Sequence, residues 1–301
     1  MTATRRPPAL RRSWLFAGGA EERGLAALSD GPADVLIHEL EDFTAPAQRP
    51  AARALIPGLM RAWRAAGKVA AVRINPLETA DGPLDLAACF AQGADGAPDA
   101  VLLPKVAEPA QIAALSDGID RLEAEAGLPA GAVELVPNIE LARGLMQTYA
   151  VATASPRVTA CLVASEDMVA DLGAERGRDG RELAYVRERF HLECRAAGVV
   201  SIDCPYTFTD DAGLTAETRD ARRLGMTAKS CVAPGHAGLI NALLTPEPTA
   251  VAHARRVVET FEEAQARGLG VVELDGVNLE LPIVQNARRL IARAEAFAAL
   301  D

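Results

Sequence analysis

The chain has 301 residues, 50% of them hydrophobic and 24% charged, with a formal net charge of −10. Such a composition suits a folded globular protein with ample core, in one large domain or two small ones. The negative balance argues against nucleic acid or an anionic membrane as a general partner, because their phosphates would be repelled.

Taken in chain order, the stretch from Met1 to Arg12 is basic and carries Pro7 and Pro8, but no apolar core of signal-peptide length follows it. No later stretch approaches membrane-spanning length either. The five cysteines, Cys89, Cys161, Cys194, Cys204 and Cys231, are odd in number and show no C-x-x-C spacing. Three sit inside apolar runs, so they read as small buried hydrophobes in a reducing compartment, and a cytoplasmic protein is expected.

Apolar runs rich in β-branched residues then recur at Ser13 to Phe16, Val35 to Leu40, Val69 to Ile74, Ala100 to Lys105, Val133 to Glu140, Val158 to Ala164, Val199 to Pro205 and Thr227 to Ala233. Segments of helical period fill the gaps, among them Pro109 to Ala126 and Glu182 to Ala197. Alternation of short buried strands with amphipathic helices implies a parallel sheet. Eight such units within about 240 residues predict a (β/α)₈ barrel, a fold that typically takes about 250. A doubly wound open sheet is the competitor, but neither G-x-G-x-x-G nor G-x-x-x-x-G-K-[ST] follows an early strand.

In a barrel the strand C-termini share one face, where active sites are built. Those ends offer Glu39, Glu41 and Asp42, then Arg73, Lys105, Glu140, the pair Glu166 and Asp167, Asp203, and Lys229. Glu140 and Asp167 end adjacent strands and can converge on one small hard cation, which prefers oxygen ligands. Acidic residues also suit the first turn of a helix that follows a strand, so each alone is ambiguous.

Beyond the barrel, Pro246 to Pro248 opens a helical segment running to about Arg267, and Gly268 to Gly270 interrupt it. Val271 to Leu274 is strand-like, Asp275-Gly276 is a turn pair, and Pro282 begins a final helix. The expected organisation is a barrel domain over residues 1–245 and a C-terminal extension over 246–301, serving as lid, oligomerisation arm or both.

Seven pieces of the sequence, in order, match one family: Arg12-Ser-Trp-Leu-Phe16 with Gly18, Leu40-Glu-Asp42, Val72-Arg-Ile-Asn-Pro76, Leu103-Pro-Lys-Val106, Ile139-Glu-Leu-Ala-Arg-Gly144, Glu166-Asp167 before Met-Val-Ala-Asp-Leu-Gly173, and Asp275-Gly276 before Pro282. The chain resembles the citrate lyase β-subunit and malyl-CoA lyase branch of the HpcH/HpaI aldolase superfamily. That resemblance implies a magnesium-binding (β/α)₈ barrel, a homotrimer or hexamer, that cleaves or forms a carbon–carbon bond in a hydroxyacyl-coenzyme A. It also implies that Glu140 and Asp167 ligate the metal, that Arg73 contacts the substrate carbonyl or carboxylate, and that Glu41 and Asp42 orient Arg73 and metal-bound waters. Phe16 and Arg23 fall where the family forms part of its coenzyme A site.

The chain departs from the family pattern in places. The family's C-terminal acid/base aspartate aligns with Glu280, a side chain longer by one methylene. Val277 stands where a lysine is frequent, Ala164-Ser165 replaces a Gly before the second metal motif, and Val232-Ala-Pro234 replaces His-Pro, with His236 two positions on. Lys105 and Lys229 read as internal ion-pair partners, His236 as a capping or packing residue, and His38, His191 and His253 have no assigned role. Three functions are carried forward: a lyase acting on a malyl-CoA-like or citramalyl-CoA-like thioester, a thioester hydrolase on the same scaffold, and a non-catalytic binding or accessory protein.

Overall fold

All eight apolar runs become strands. In the computed structural model, which describes residues 5–300, they are β1 Ser13–Gly18, β2 Val35–Glu39, β3 Val69–Arg73, β4 Ala100–Leu103, β5 Glu134–Ile139, β6 Ala160–Val163, β7 Val200–Asp203 and β8 Ala228–Cys231. Each pairs in parallel with the next, and β8 returns to β1 through Ser13↔Lys229, Trp14↔Ser230 and Leu15↔Cys231. The sheet is therefore a closed (β/α)₈ barrel, not an open doubly wound sheet.

Alternate residues point to opposite faces of a strand. Trp14 and Phe16 of β1 join Ile37, Leu102, Val136, Leu162 and Ile202 in one buried cluster inside the barrel. Leu15 joins Leu36, Val72, Val101, Leu135 and Val163 in a second cluster, packed under the helices. With both faces covered, the strands read as continuous apolar runs instead of alternating ones. Inside, the bulk of Trp14 and Phe16 is balanced by Ala71, Ala100, Ala160 and Ala228, which lets side chains fill the space without a pore.

The helices start and stop where local chemistry dictates. Helix Pro109–Ala126 has Pro at its first position, and the Gln111 side chain accepts the Glu108 N–H at 3.1 Å. It ends at Gly127, whose φ of 72° is costly for a residue with a Cβ. The helix expected from Glu182 begins as a 3₁₀ turn, Arg181–Leu183, and continues as Ala184–Ala197. Among the described residues no helix is long and apolar enough to cross a membrane.

Residues 5–12 of the basic N-terminal segment lie at the end of the barrel where the strands begin. Arg11, 1% exposed, grips Glu134 at the start of β5 with two hydrogen bonds of 2.6 and 2.8 Å, and Thr159 donates to the same carboxylate at 2.7 Å. Arg12 pairs with Asp34 at 2.9 Å. Ion pairs thus tie this end together, while the opposite end carries the strand-terminal acids.

The chain forms two compact units that divide between Leu244 and Thr245. The second unit contains helices Pro248–Ala266 and Leu281–Ala298 with a small hairpin, β9 Glu273–Leu274 and β10 Val277–Asn278. Asp275 and Gly276 both have positive φ, 50° and 80°, as the tight two-residue turn requires. Ala254, Val257, Leu279, Val284 and Ala287 form this unit's own core.

Candidate active site

The C-terminal ends of the strands surround a cavity of about 250 Å³. Phe16, Asp42, Arg73, Glu140 and Asp167 all line it, together with Phe43, Leu162, Ala164, Ser165, Glu166, Pro205, Thr207 and Val232. Five of the eight residues singled out from the sequence therefore meet in one place.

Arg73, at the end of β3, organises one wall. Its Nε donates to Glu39 at 2.9 Å, and its terminal nitrogens lie 3.4 Å from Glu140, 3.3 Å from Glu41 and 3.9 Å from Asp42. The guanidinium carbon lies 5.0 Å from the Phe16 ring centroid and 5.7 Å from that of Phe43, within reach of a cation–π attraction. Burial works against the Arg73 charge, but the carboxylates outweigh it, Glu39 foremost, and the net effect holds its proton more tightly than usual.

Glu140 follows β5 and is wholly buried. It accepts the Lys105 backbone N–H at 2.9 Å, Arg73 at 3.4 Å and the Asn138 amide at 3.3 Å. Desolvation pushes its carboxyl up to about 8, with the charges of Asp167 and Glu41 adding to the rise and Arg73 opposing it. Asp167 lies in the first turn of helix Glu166–Leu172, directly after β6, and is half-buried.

The loop after β2 supplies the remaining acids. Glu41 is buried, and the Lys105 ammonium bonds to it directly and lies 3.6 Å from Asp42. Burial raises the Glu41 carboxyl, while Arg73 and Lys105 pull it back. Asp42 is 43% exposed and opens onto the cavity. Lys105 has a left-handed backbone, φ 54°, which is rare for a non-glycine residue, and this turn aims its N–H at Glu140.

Glycines set the spacing of these loops. A Cβ on Gly18, at the end of β1, would meet Phe43 Cβ at 2.5 Å; one on Gly144 would lie 2.1 Å from the Val106 carbonyl. Hence the Gly of the Glu-Leu-Ala-Arg-Gly stretch lets the segment after Glu140 lie against the loop that carries Lys105. Asn75 of the Arg-Ile-Asn-Pro stretch donates to the Leu40 carbonyl at 2.9 Å and to Asp85 at 2.7 Å. It ties the ends of β2 and β3 together.

Glu39 was named among the strand-end charges and Asn75 within a family motif, but neither was given a role, and Asn138 was not singled out. Glu39 accepts the backbone N–H groups of Glu41 and Phe43, both at 2.6 Å, besides anchoring Arg73. Its signal lay in the density of acids, three within Glu39 to Asp42. Asn138 is fully buried, and its Oδ1 has no partner among the described residues; being two residues before Glu140, it was readable only as another buried strand position.

Arg23 and Glu280 are placed without being joined to these groups. Arg23 lies on the short helix Glu22–Ala27, exposed, its side chain making no hydrogen bond or ion pair among the described residues. Glu280 is exposed at the N-cap of helix Leu281–Ala298 in the second unit. His236 is buried at the start of helix His236–Leu244, with its ring 6.5 Å from that of Tyr206, so it packs.

Two acidic groupings lie at this end of the barrel, and they differ in charge. Asp203, Cys204 and Glu217 lie close enough to share an ion. That position already holds the Lys229 ammonium, 2.8 Å from Asp203, 2.6 Å from Glu217 and 2.6 Å from the Cys204 carbonyl, with Arg187 doubly bonded to Asp203. At the cavity, by contrast, Glu39, Glu41, Asp42, Glu140, Glu166 and Asp167 are set against Arg73, Lys105 and Arg176 among the described residues, six formal negative charges against three positive. Oxygen donors, an excess of negative charge and a raised Glu140 carboxyl all fit a small divalent cation held by Glu140 and Asp167.

The comparisons with known proteins agree on one family. The E. coli K12 citrate lyase subunit beta is 33% identical over 286 residues, covering 95% of this chain and 93% of that protein. The (3S)-malyl-CoA thioesterase of Cereibacter sphaeroides ATCC 17029 is 31% identical over 289 residues, covering 96% of each. Among solved structures, CitE of Mycobacterium tuberculosis in complex with magnesium, acetoacetate and coenzyme A superposes with a TM-score of 0.75 at 29% identity, over 96% of this chain and 99% of that one. The family described as HpcH/HpaI aldolase/citrate lyase matches residues 12–234, a span that includes all eight barrel strands and every residue of the cavity, and the chain belongs to that family.

Proposed function

We propose that this chain is a magnesium-dependent carbon–carbon lyase that cleaves a β-hydroxyacyl-CoA, of malyl-CoA or citramalyl-CoA type, into an acyl-CoA and a 2-keto acid. The observation that carries the reading is the meeting of Glu140, Asp167 and Arg73 on one cavity with a net excess of negative charge. Magnesium on Glu140 and Asp167 would supply Lewis acidity toward the substrate's hydroxyl and carboxylate oxygens. Arg73, permanently cationic and flanked by Phe16 and Phe43, offers N–H donors to charge that develops on the thioester oxygen, an effect worth about 3 kcal/mol when such a donor is removed elsewhere. Glu39 and Glu41 keep its fork in place, and Lys105 holds the Glu41–Asp42 loop. The apolar side of the cavity, with Leu162, Ala164 and Val232, suits the acyl portion. Arg23, exposed and without a partner among the described residues, is available to a coenzyme A phosphate. For the proton there are two candidates: Glu280, which the resemblance implies, and Asp42, which lines the cavity. The same reading makes the protein a cytoplasmic homotrimer or hexamer, with the C-terminal unit as lid or oligomerisation arm.

A second reading, thioester hydrolysis, is favoured by the 31% identity to a protein named as a malyl-CoA thioesterase. One assay separates the two. Purified protein is given malyl-CoA and citramalyl-CoA with and without magnesium, and 2-keto acid and free thiol are measured. Keto acid without free thiol, dependent on magnesium, supports the lyase. Free thiol without keto acid supports the hydrolase, and neither product from either thioester sinks both.

A further inference from the structure

We infer that Asp42 is the proton carrier of the carbon–carbon cleavage, so that the chemistry is completed by a carboxylate of the barrel itself. The inference rests on the lyase reading. Four carboxylates line the cavity: Asp42, Glu140, Glu166 and Asp167. Glu140 and Asp167 are taken by the metal in that reading. Glu166 is held by Arg176 at 3.3 Å and by the Thr207 hydroxyl at 2.6 Å. Asp42 and Asp167 accept no hydrogen bond from the described residues, and with Asp167 assigned to the metal, Asp42 is the one that remains; its nearest cations, Lys105 and Arg73, stand off at 3.6 and 3.9 Å. Its neighbour Glu41, the other half of the acidic pair, is 4% exposed and bonded to Lys105, and so is not available to a substrate. The two members of the pair therefore divide their work. Glu41 fixes the loop, and Asp42, 43% exposed, presents to the cavity a carboxylate that accepts no hydrogen bond from the described residues, beside the Arg73 guanidinium.

The step balances with one residue. The Asp42 carboxylate takes the proton of the substrate hydroxyl. The freed oxygen electron pair forms the carbonyl of the 2-keto acid as the adjoining carbon–carbon bond breaks, and the bonding pair moves into the thioester as an enolate facing Arg73. Asp42 then returns the same proton to the enolate carbon, giving the acyl-CoA and restoring its own carboxylate. Nothing is oxidised or reduced, and no further reactant is consumed. Because the carrier must shuttle between an oxygen and a carbon that are two bonds apart in the substrate, a carboxylate free to rotate serves better than one fixed by hydrogen bonds.

The test uses the full chain with magnesium and malyl-CoA or citramalyl-CoA, and compares the wild type with Asp42→Ala, Asp42→Glu and Glu280→Ala. Expected for Asp42→Ala is a fall in kcat of about 100-fold or more, with KM within about threefold, and recovery of about tenfold on adding formate. Exchange of the acyl-CoA α-hydrogens with D₂O should fall and recover in parallel, whereas the thermal midpoint and calorimetric magnesium binding should not change. Asp42→Glu should keep more activity than Asp42→Ala. Cleavage and exchange in Asp42→Ala within about threefold of wild type, or a loss that formate does not restore, would overturn the assignment. So would rescue by formate of Glu280→Ala in place of Asp42→Ala. A wild-type chain that neither cleaves nor exchanges with any of these thioesters overturns the lyase reading as well, so the two failures are distinguishable.

Discussion

Arg73 is bounded by Glu39, Glu41, Asp42 and Glu140 and by two aromatic rings, and this arrangement depends on a planar fork that lysine lacks. Arg73→Lys is expected to fold, because the charge remains, but to lose about 100-fold in kcat/KM, measured at saturating magnesium. Arg73→Met should instead lower stability by about 3 to 5 kcal/mol in urea titrations, since it leaves buried carboxylates without a partner. Glu140→Gln and Asp167→Asn are each expected to abolish magnesium binding by calorimetry while preserving the far-ultraviolet circular dichroism of the barrel; unchanged binding in both would refute the metal assignment. These residues were legible in the sequence because they end apolar strands. Lys105 was legible only as an ion-pair partner. Its left-handed backbone and its N–H bond to Glu140 depend on how two loops pass each other, which no residue pattern encodes.

At the scale of elements, the strands could be read because each is buried on both faces, and the tail because Gly268 to Gly270, Asp275-Gly276 and Pro282 punctuate it. Loop-to-loop contacts were not legible, and they decide the site. Gly144 shows the point: it is an ordinary helix residue by φ, in the short helix Ala142–Leu145, yet a methyl group there would overlap the Val106 carbonyl at 2.1 Å. Both partners are backbone, so neither can rotate away. Gly144→Ala is therefore expected to force apart the segment after β5 and the loop after β4, costing about 2 kcal/mol of stability. Because Glu140 and Lys105 lie on those two segments, the same substitution should weaken magnesium binding by about tenfold, whereas a mere loss of stability would leave the affinity of the folded fraction unchanged.

For the molecule as a whole, the two ion clusters at the C-terminal end of the barrel pull stability in opposite directions with pH. Asp203 is neutralised by Lys229 and Arg187, and these cations outweigh its burial, lowering its carboxyl from 3.8 to about 2. A depressed carboxyl stabilises the fold fully above the unfolded value, near 4, and the contribution disappears as pH falls toward 2. Glu140 has the opposite sign in the metal-free chain. Raised from 4.5 to about 8 chiefly by burial, it favours the fold while protonated, and stability declines as pH rises from about 4.5 to about 8. The difference at pH 7 is of the order of 3 kcal/mol, at 1.36 kcal/mol per unit. Urea unfolding of the metal-free chain should therefore show stability rising between pH 2 and 4 and falling between about 4.5 and 8. Glu140→Gln should remove the second limb and leave the first, since a neutral amide has no proton to lose. Magnesium should do to the wild type what the amide does to the variant, supplying the positive charge that the buried carboxylate lacks, so its stabilising effect should grow with pH over the same interval. A falling limb that survives in Glu140→Gln would show that the excess negative charge resides elsewhere and that the cavity does not owe its affinity for a cation to Glu140.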